Sequence, residues 1–184
     1  AGRLTACIRR TDTVSRLGGD EFLILLSQVE CAEDAAVTAR KILRAIASPH
    51  IIDNKSLDIY VSIGGSTYPA DGQDAESLIR QADVAMYEAK QHGRNSYQSF
   101  RKDMNTRLAK RALLESDLRS ALGRKEFLLH YQPKIDLQTG LVTGMETLLR
   151  WQHPERGMLL PADFVPIAEE CGLILHIGQW VLTE

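Results

Sequence analysis

Two apolar runs meet at a pair of glycines. Val14-Ser15-Arg16-Leu17 alternates into Gly18-Gly19, and Phe22-Leu23-Ile24-Leu25-Leu26 leaves on the other side, with Asp20 and Glu21 between them. Extended runs joined by so short a link predict a β-hairpin. Gly-Gly supplies the positive φ of a tight turn. Having no Cβ, it also leaves bare backbone that a bulky ligand can approach. Carboxylates beside bare backbone suit a divalent cation and the phosphates it carries, because hard oxygen donors bind Mg²⁺ and the metal offsets phosphate charge. The same residues also make a plain hairpin turn with solvated acids. Local physics leaves both readings open.

The chain around this hairpin alternates helical and extended patterns. Leu4 to Arg10 reads as the end of a helix. Ala35, Ala39, Ile42, Leu43 and Ile46 recur at helical spacing and predict an amphipathic helix over about 33–47, ended by Pro49. The β-branched stretch from Ile51 to Ser66 predicts a second hairpin turning at Asn54-Lys55. Asp74 is a good N-cap. Leu78, Ile79, Ala82, Ala85, Met86 and Ala89 then form one helical stripe to about residue 91, closed by Gly93. Tyr97 to Phe100 predicts a short strand. The expected class is α+β, with helices covering an antiparallel sheet.

A charged helix follows over about 103–123, with Met104, Leu108, Leu113, Leu118 and Leu122 as its apolar positions. It suits an exposed linker, and the domain boundary is placed inside it: one domain over 1–102, a linker over 103–124 and a second domain over 125–184. In the second domain Phe127–Leu137 and Leu141–Trp151 predict two strands joined at Gln138-Thr139-Gly140. Pro161 opens a helix that runs through Glu170, and another starts at Ile174.

Composition narrows the classes of function. Twenty-two Lys and Arg against 24 Asp and Glu leave a net charge of −2, with no basic footprint for nucleic acid. The three cysteines, Cys7, Cys31 and Cys171, are scattered and odd in number, which argues against a disulfide framework and for a reducing, cytoplasmic compartment. The five histidines show no metal-ligand spacing. The chain starts without Met and stops at Glu184 inside a helical pattern, and so reads as a fragment.

Arg16-Leu17-Gly18-Gly19-Asp20-Glu21-Phe22 resembles the signature of the GGDEF family, the bacterial diguanylate cyclases. Ala82-Asp83-Val84-Ala85-Met86-Tyr87-Glu88-Ala89-Lys90-Gln91-His92-Gly93-Arg94-Asn95 resembles the family's C-terminal signature. The resemblance covers about residues 1–100. It implies a nucleotidyl-cyclase fold, like a polymerase palm, that condenses two GTP into cyclic di-GMP with Mg²⁺ or Mn²⁺. Asp20 matches the metal-binding acid, Glu21 its neighbour, Gly18 and Gly19 the nucleotide-facing glycines, and Lys90 and Arg94 the phosphate contacts. Lys90 and Arg94, four apart at a helix end, can point the same way; they also read as ordinary C-terminal cations. Arg9-Arg10-Thr11-Asp12 matches the family's RxxD element, which binds cyclic di-GMP as a feedback inhibitor, with Arg40 as a further cation. Arg9 and Asp12 read equally as a local ion pair. Each such domain holds one GTP, so a homodimer is implied for activity. The family's first strand, with a further metal-binding Asp and the residues that recognise guanine, precedes Ala1. These 184 residues alone are therefore expected to make no cyclic di-GMP.

A second resemblance begins at Tyr131-Gln132-Pro133 and continues through Gly144-Met145-Glu146-Thr147-Leu148-Leu149-Arg150-Trp151, His153-Pro154, Gly157, Pro161, Phe164 and Pro166. These resemble the start of an EAL domain, a cyclic di-GMP phosphodiesterase on a TIM-like α/β barrel. Thr147 departs from the signature, where the family has Ala. The resemblance implies Glu146 as a metal ligand, and Arg150 and Gln132 as substrate contacts. By strand parity Glu146, Leu148 and Arg150 share a face; a strand-edge ion pair is the plainer reading. A barrel takes about 250 residues and about 70 stand here, so the part after residue 125 is expected to be the less stable half.

Together the resemblances imply a cytoplasmic tandem GGDEF–EAL protein of cyclic di-GMP signalling, free or membrane-tethered, with an upstream sensory domain. GTP and cyclic di-GMP are its expected ligands. Two other readings stand beside it: a non-catalytic GTP or cyclic di-GMP receptor, and a phosphodiesterase whose GGDEF half regulates.

Overall fold

The computed structural model describes residues 1–93 and 95–184. The chain divides into two compact units, Ala1–Thr106 and Arg107–Glu184. Both mix helix and sheet, as the sequence predicts.

The first unit opens with one short helix, α1 (Gly2–Thr5), then the hairpin β1 (Thr13–Gly18) and β2 (Glu21–Leu25). Helix α2 (Ala32–Ala47) follows, then a small hairpin, β3 (His50–Ile52) and β4 (Lys55–Leu57). Strand β5 (Ile63–Gly65), helix α3 (Ala75–Gln91) and strand β6 (Tyr97–Ser99) complete it. The first hairpin stands as predicted, with Val14 opposite Ile24 and Arg16 opposite Phe22. Val14, Phe22 and Ile24 pack on Leu4, Cys7 and Ile42, which ties the hairpin to α1 and α2. Helix α3 begins where Asp74 caps it, its carboxylate accepting from the Ser77 N–H at 2.7 Å.

Three expectations are corrected here. The opening helix stops at Thr5, ahead of the predicted Arg10. The second hairpin turns at Asp53-Asn54, both at positive φ, and ends at Leu57 instead of reaching Ser66. Strand β5 belongs elsewhere: it pairs with β6, and the pair is parallel, Ile63 opposite Tyr97. The physical reason is α3, because a helix joining two neighbouring strands carries the chain back to the same end. Gly64 allows this packing; a Cβ there would lie 2.0 Å from the Ala82 carbonyl oxygen of α3.

Helix α4 (Lys102–Ala121) contains the division between the units. Its later half is no exposed linker. Leu114, Leu118 and Ala121 are buried in the core of the second unit. Arg111 holds Glu170 at 2.7 Å. The remaining elements are β7 (Phe127–Ile135), β8 (Val142–His153), β9 (Gly157–Leu159), α5 (Pro161–Glu170) and α6 (Ile174–Thr183). The three strands form an open antiparallel sheet in the order β7-β8-β9, and no barrel closes among the described residues. Strand β9 has no counterpart in the sequence reading.

Alternate residues of β8 face the core. Trp151 is fully buried and packs against Phe127, Phe164 and the ring of His153. His153 receives the Glu155 and Arg156 N–H groups on Nδ1, so its proton sits on Nε2, which donates to Asp117 of α4 at 3.1 Å. This packing gives the second unit a substantial core of its own. Four of the five largest fully buried side chains, Trp151, Phe164, Leu118 and Ile177, lie in the second unit.

Candidate functional sites

The first candidate site is the tip of the β1–β2 hairpin. Gly18 pairs with Glu21, leaving Gly19 and Asp20 as a two-residue turn. Only Gly19 takes positive φ, at 52°, so the expectation that both glycines supply it is corrected. A glycine at the first central position is the requirement of a type II′ turn, whose twist matches the strands it joins. A Cβ built at Gly18 or Gly19 would meet nothing within 4 Å. Asp20 and Glu21 are exposed beside this open backbone. The tip therefore presents two carboxylates and an unobstructed approach.

Two cations, Lys90 and Arg94, are expected to face the turn. Lys90 lies exposed in the last turn of α3, where a cation complements the helix end. Arg94 lies outside the described residues. Among the described residues no cluster of three or more His, Cys, Asp or Glu is arranged to hold a metal.

Arg9 and Asp12 belong to a small cleft that Asp34 and Thr38 of α2 also line. Asp12 works hard there as a local anchor. Its carboxylate accepts from the Arg9 N–H at 2.9 Å and from the Ser27 N–H at 3.1 Å, tying the loop before β1 to the chain after β2. Those backbone donors, chiefly Arg9, hold its pKa below the ordinary carboxylate range. Asp34 is a residue that the sequence reading missed. It accepts from the Cys31 N–H and, with a smaller effect, the Glu30 N–H, which lowers its pKa, and the Arg9 charge adds a smaller push. An Asp three residues after the helix-opening Cys31 was the available signal. The Arg9 guanidinium thus feels two carboxylates. Arg40 is engaged with Glu33 at 2.5 Å and does not line the cleft.

The second candidate site lies on the β7–β8 hairpin. Gln132 stands directly opposite Glu146, and Tyr131 opposite Thr147. Cross-strand partners share a face, so Gln132, Glu146, Leu148 and Arg150 lie on the side away from Trp151. Glu146 and Gln132 are exposed, while Arg150 is half-buried and donates to the Leu149 carbonyl at 2.8 Å. The register thus joins an amide and a carboxylate that are 14 residues apart in sequence (146 − 132).

Residues 1–96 match the family described as diguanylate cyclase, GGDEF domain, and residues 115–184 match the EAL domain. The bifunctional diguanylate cyclase/cyclic di-GMP phosphodiesterase MucR of Pseudomonas aeruginosa is 46% identical over 184 residues, which cover 100% of this chain and 27% of that protein. The cyclic di-GMP phosphodiesterase PdeR of Escherichia coli K12 is 39% identical over 181 residues, covering 98% and 27%. The chain thus spans about a quarter of the length of the curated relatives it matches. Among solved structures, an EAL/GGDEF domain protein from M. capsulatus is 44% identical with a TM-score of 0.52, covering 55% of this chain and 65% of that one. The GGDEF domain of TpbB (YfiN) from Pseudomonas aeruginosa is 31% identical with a TM-score of 0.57, covering 59% and 63%. No helix among the described residues is long and apolar enough to cross a membrane.

Proposed function

This chain belongs to the GGDEF diguanylate cyclase family over residues 1–96 and continues as an EAL domain over 115–184, and we propose from that premise that it serves cyclic di-GMP signalling. In the full-length protein the GGDEF half condenses two GTP into cyclic di-GMP. The EAL half binds or hydrolyses the product. The observation that carries this reading is the Gly18–Glu21 turn, which presents Asp20 and Glu21 beside two glycines with open space where a Cβ would stand.

The turn fits a divalent cation of the Mg²⁺ or Mn²⁺ type. Mg²⁺ is commonly held by one or two carboxylates plus substrate phosphates, with waters completing the shell, and does not need a protein cage. Two adjacent exposed acids meet that requirement. When bound, the cation offsets phosphate charge and acidifies the attacking ribose hydroxyl. Asp20 and Glu21 supply its oxygen ligands, Gly18 and Gly19 let the phosphates approach the backbone, and Lys90 with Arg94 neutralise phosphate charge. Two GTP must meet, so a homodimer brings two such turns face to face. Arg9 and Asp12 form the product-binding inhibitory site, with Arg40 released from Glu33 to join it. On the EAL half Glu146 ligates metal, and Gln132 and Arg150 hold the substrate. An upstream sensory domain and a cytoplasmic setting complete the reading.

The test is product identification. Full-length protein incubated with GTP and Mg²⁺ is expected to release cyclic di-GMP, and incubated with cyclic di-GMP to release its linear dinucleotide. Binding of both nucleotides without turnover of either would replace this reading with that of a receptor.

A further inference from the structure

Arg16 belongs to the turn motif, yet the roles assigned above leave it idle. Its guanidinium is committed. Nε donates to the Gly19 carbonyl oxygen at 2.9 Å, and Nη2 donates to the same oxygen. Arg16 reaches that carbonyl because the hairpin register slips beside it: Arg16 pairs with Phe22, Gly18 with Glu21, and Leu17 is left without a partner in the ladder. Such a bulge re-aims the side chains around it.

The Gly19 carbonyl is half of the Gly19–Asp20 peptide. That unit is planar, so its C=O and N–H point in opposite directions. A guanidinium holding the C=O therefore fixes the plane of the peptide, the direction of the Asp20 N–H, and the frame from which the Asp20 side chain projects. Packing around the two glycines does not do this work, since a Cβ at either would meet nothing within 4 Å. Gly19 itself, at φ 52°, is the most permissive residue type the turn could contain. The planar two-donor fork suits the task, and a lysine would offer one compact charge in its place.

We propose that Arg16 is a positioning residue for Asp20: it clamps the Gly19–Asp20 peptide so that the carboxylate meets the cation and nucleotide in one orientation. The proposal rests on the reading that this turn holds metal and GTP. Full-length wild type, Arg16→Ala, Arg16→Lys and Asp20→Ala are compared for cyclic di-GMP formation at varied GTP and Mg²⁺, with thermal unfolding of each. Misplacing a reacting group by about 1 Å costs on the order of 100-fold. Arg16→Ala is therefore expected to lower kcat by about 10- to 100-fold, with KM for GTP within about twofold. It is also expected to raise the Mg²⁺ needed for half-maximal rate and leave the unfolding midpoint in place. Arg16→Lys should fall between it and wild type. Wild-type kinetics in Arg16→Ala overturn the clamp, and so does a rise in KM alone, the mark of a direct substrate contact. A rate loss that tracks a lowered unfolding midpoint also overturns it. If wild type makes no product from GTP, the functional reading falls first and the clamp's role falls with it.

Discussion

Residues 107–184 are built around interlocked aromatic rings, and residues 1–106 around smaller, mostly non-aromatic clusters. In the second unit the ring of Phe127 lies 5.9 Å from Trp151, 5.8 Å from Phe164 and 5.9 Å from Trp180, with Trp151 and Phe164 at 5.6 Å edge to face. Each such ring buries more apolar area than an aliphatic side chain and adds a directional preference of its own. In the first unit the buried positions are the small Ala36, Ala39, Val84, Ala85 and Ala89, the larger Phe100 and Met104, and a separate small cluster of Leu4, Cys7 and Ile42. Small residues let helix and strand approach closely, as Gly64 does under α3, but each contributes little burial. The difference teaches that having few strands does not make a unit weak. What matters is whether its side chains close one core. Asp20 and Glu21 in the first unit, and Gln132 and Glu146 in the second, are exposed on the tip or outer face of a hairpin, where substitution costs the fold little.

The largest effect expected on this comparison comes from its centre. Trp151→Ala removes a side chain with no exposure and should cost about 3–5 kcal/mol, read as lost amide protection across residues 107–184. Ile42→Ala in the first unit should cost about 2–4 kcal/mol, read across residues 1–106. A larger loss from Ile42→Ala than from Trp151→Ala would break the ranking of the two cores. In the wild type, amide exchange should be slower around Trp151 and Phe164 than in residues 13–65.

Acidification sharpens the same comparison more gently. Asp12, Asp34 and Asp74 in the first unit, and Asp136 in the second, all have pKa values lowered chiefly by backbone N–H donors. A lowered folded pKa adds stability above the unfolded value of about 4, and that stability is lost as pH falls through the folded value. Three of these groups stand in the first unit and one in the second. Residues 1–106 should therefore lose protection first as pH falls below about 4. Asp12→Asn should flatten part of that response, read as a smaller loss of protection in residues 1–106 on acidification.

Local chemistry explains what could be read from the residues alone. The first hairpin, the Asp74 cap, the Pro161 helix start and the α2 stripe each depend on neighbours within a few positions, and all four form, with the hairpin turn one residue later than expected, at Gly19-Asp20. Pairing between distant segments was harder. Nothing in Ile63-Gly64-Gly65 names Tyr97 as its partner, and the parallel direction follows only once α3 lies between them. Glu146 and Arg150 share a face by simple alternation. That Gln132 faces Glu146 needed the register, and counting outward from the turn fails because a bulge beside Ile135 shifts it by one residue. Asp12 shows the opposite hazard. Its match to the RxxD element implies a ligand site, while its bonds to the Arg9 and Ser27 N–H groups give it a structural task that the match does not display.

The proposed function puts two separate chemistries on two separate hairpins, one at the Gly19-Asp20 turn and one across the β7–β8 strand pair. Measuring both reactions in the full-length protein carrying Asp20→Ala or Glu146→Ala tests it most directly. The expected result is reciprocal: Asp20→Ala abolishes cyclic di-GMP formation from GTP and leaves cyclic di-GMP hydrolysis or binding intact, while Glu146→Ala does the reverse. Loss of both activities from either single substitution, or of neither from both, would contradict the account.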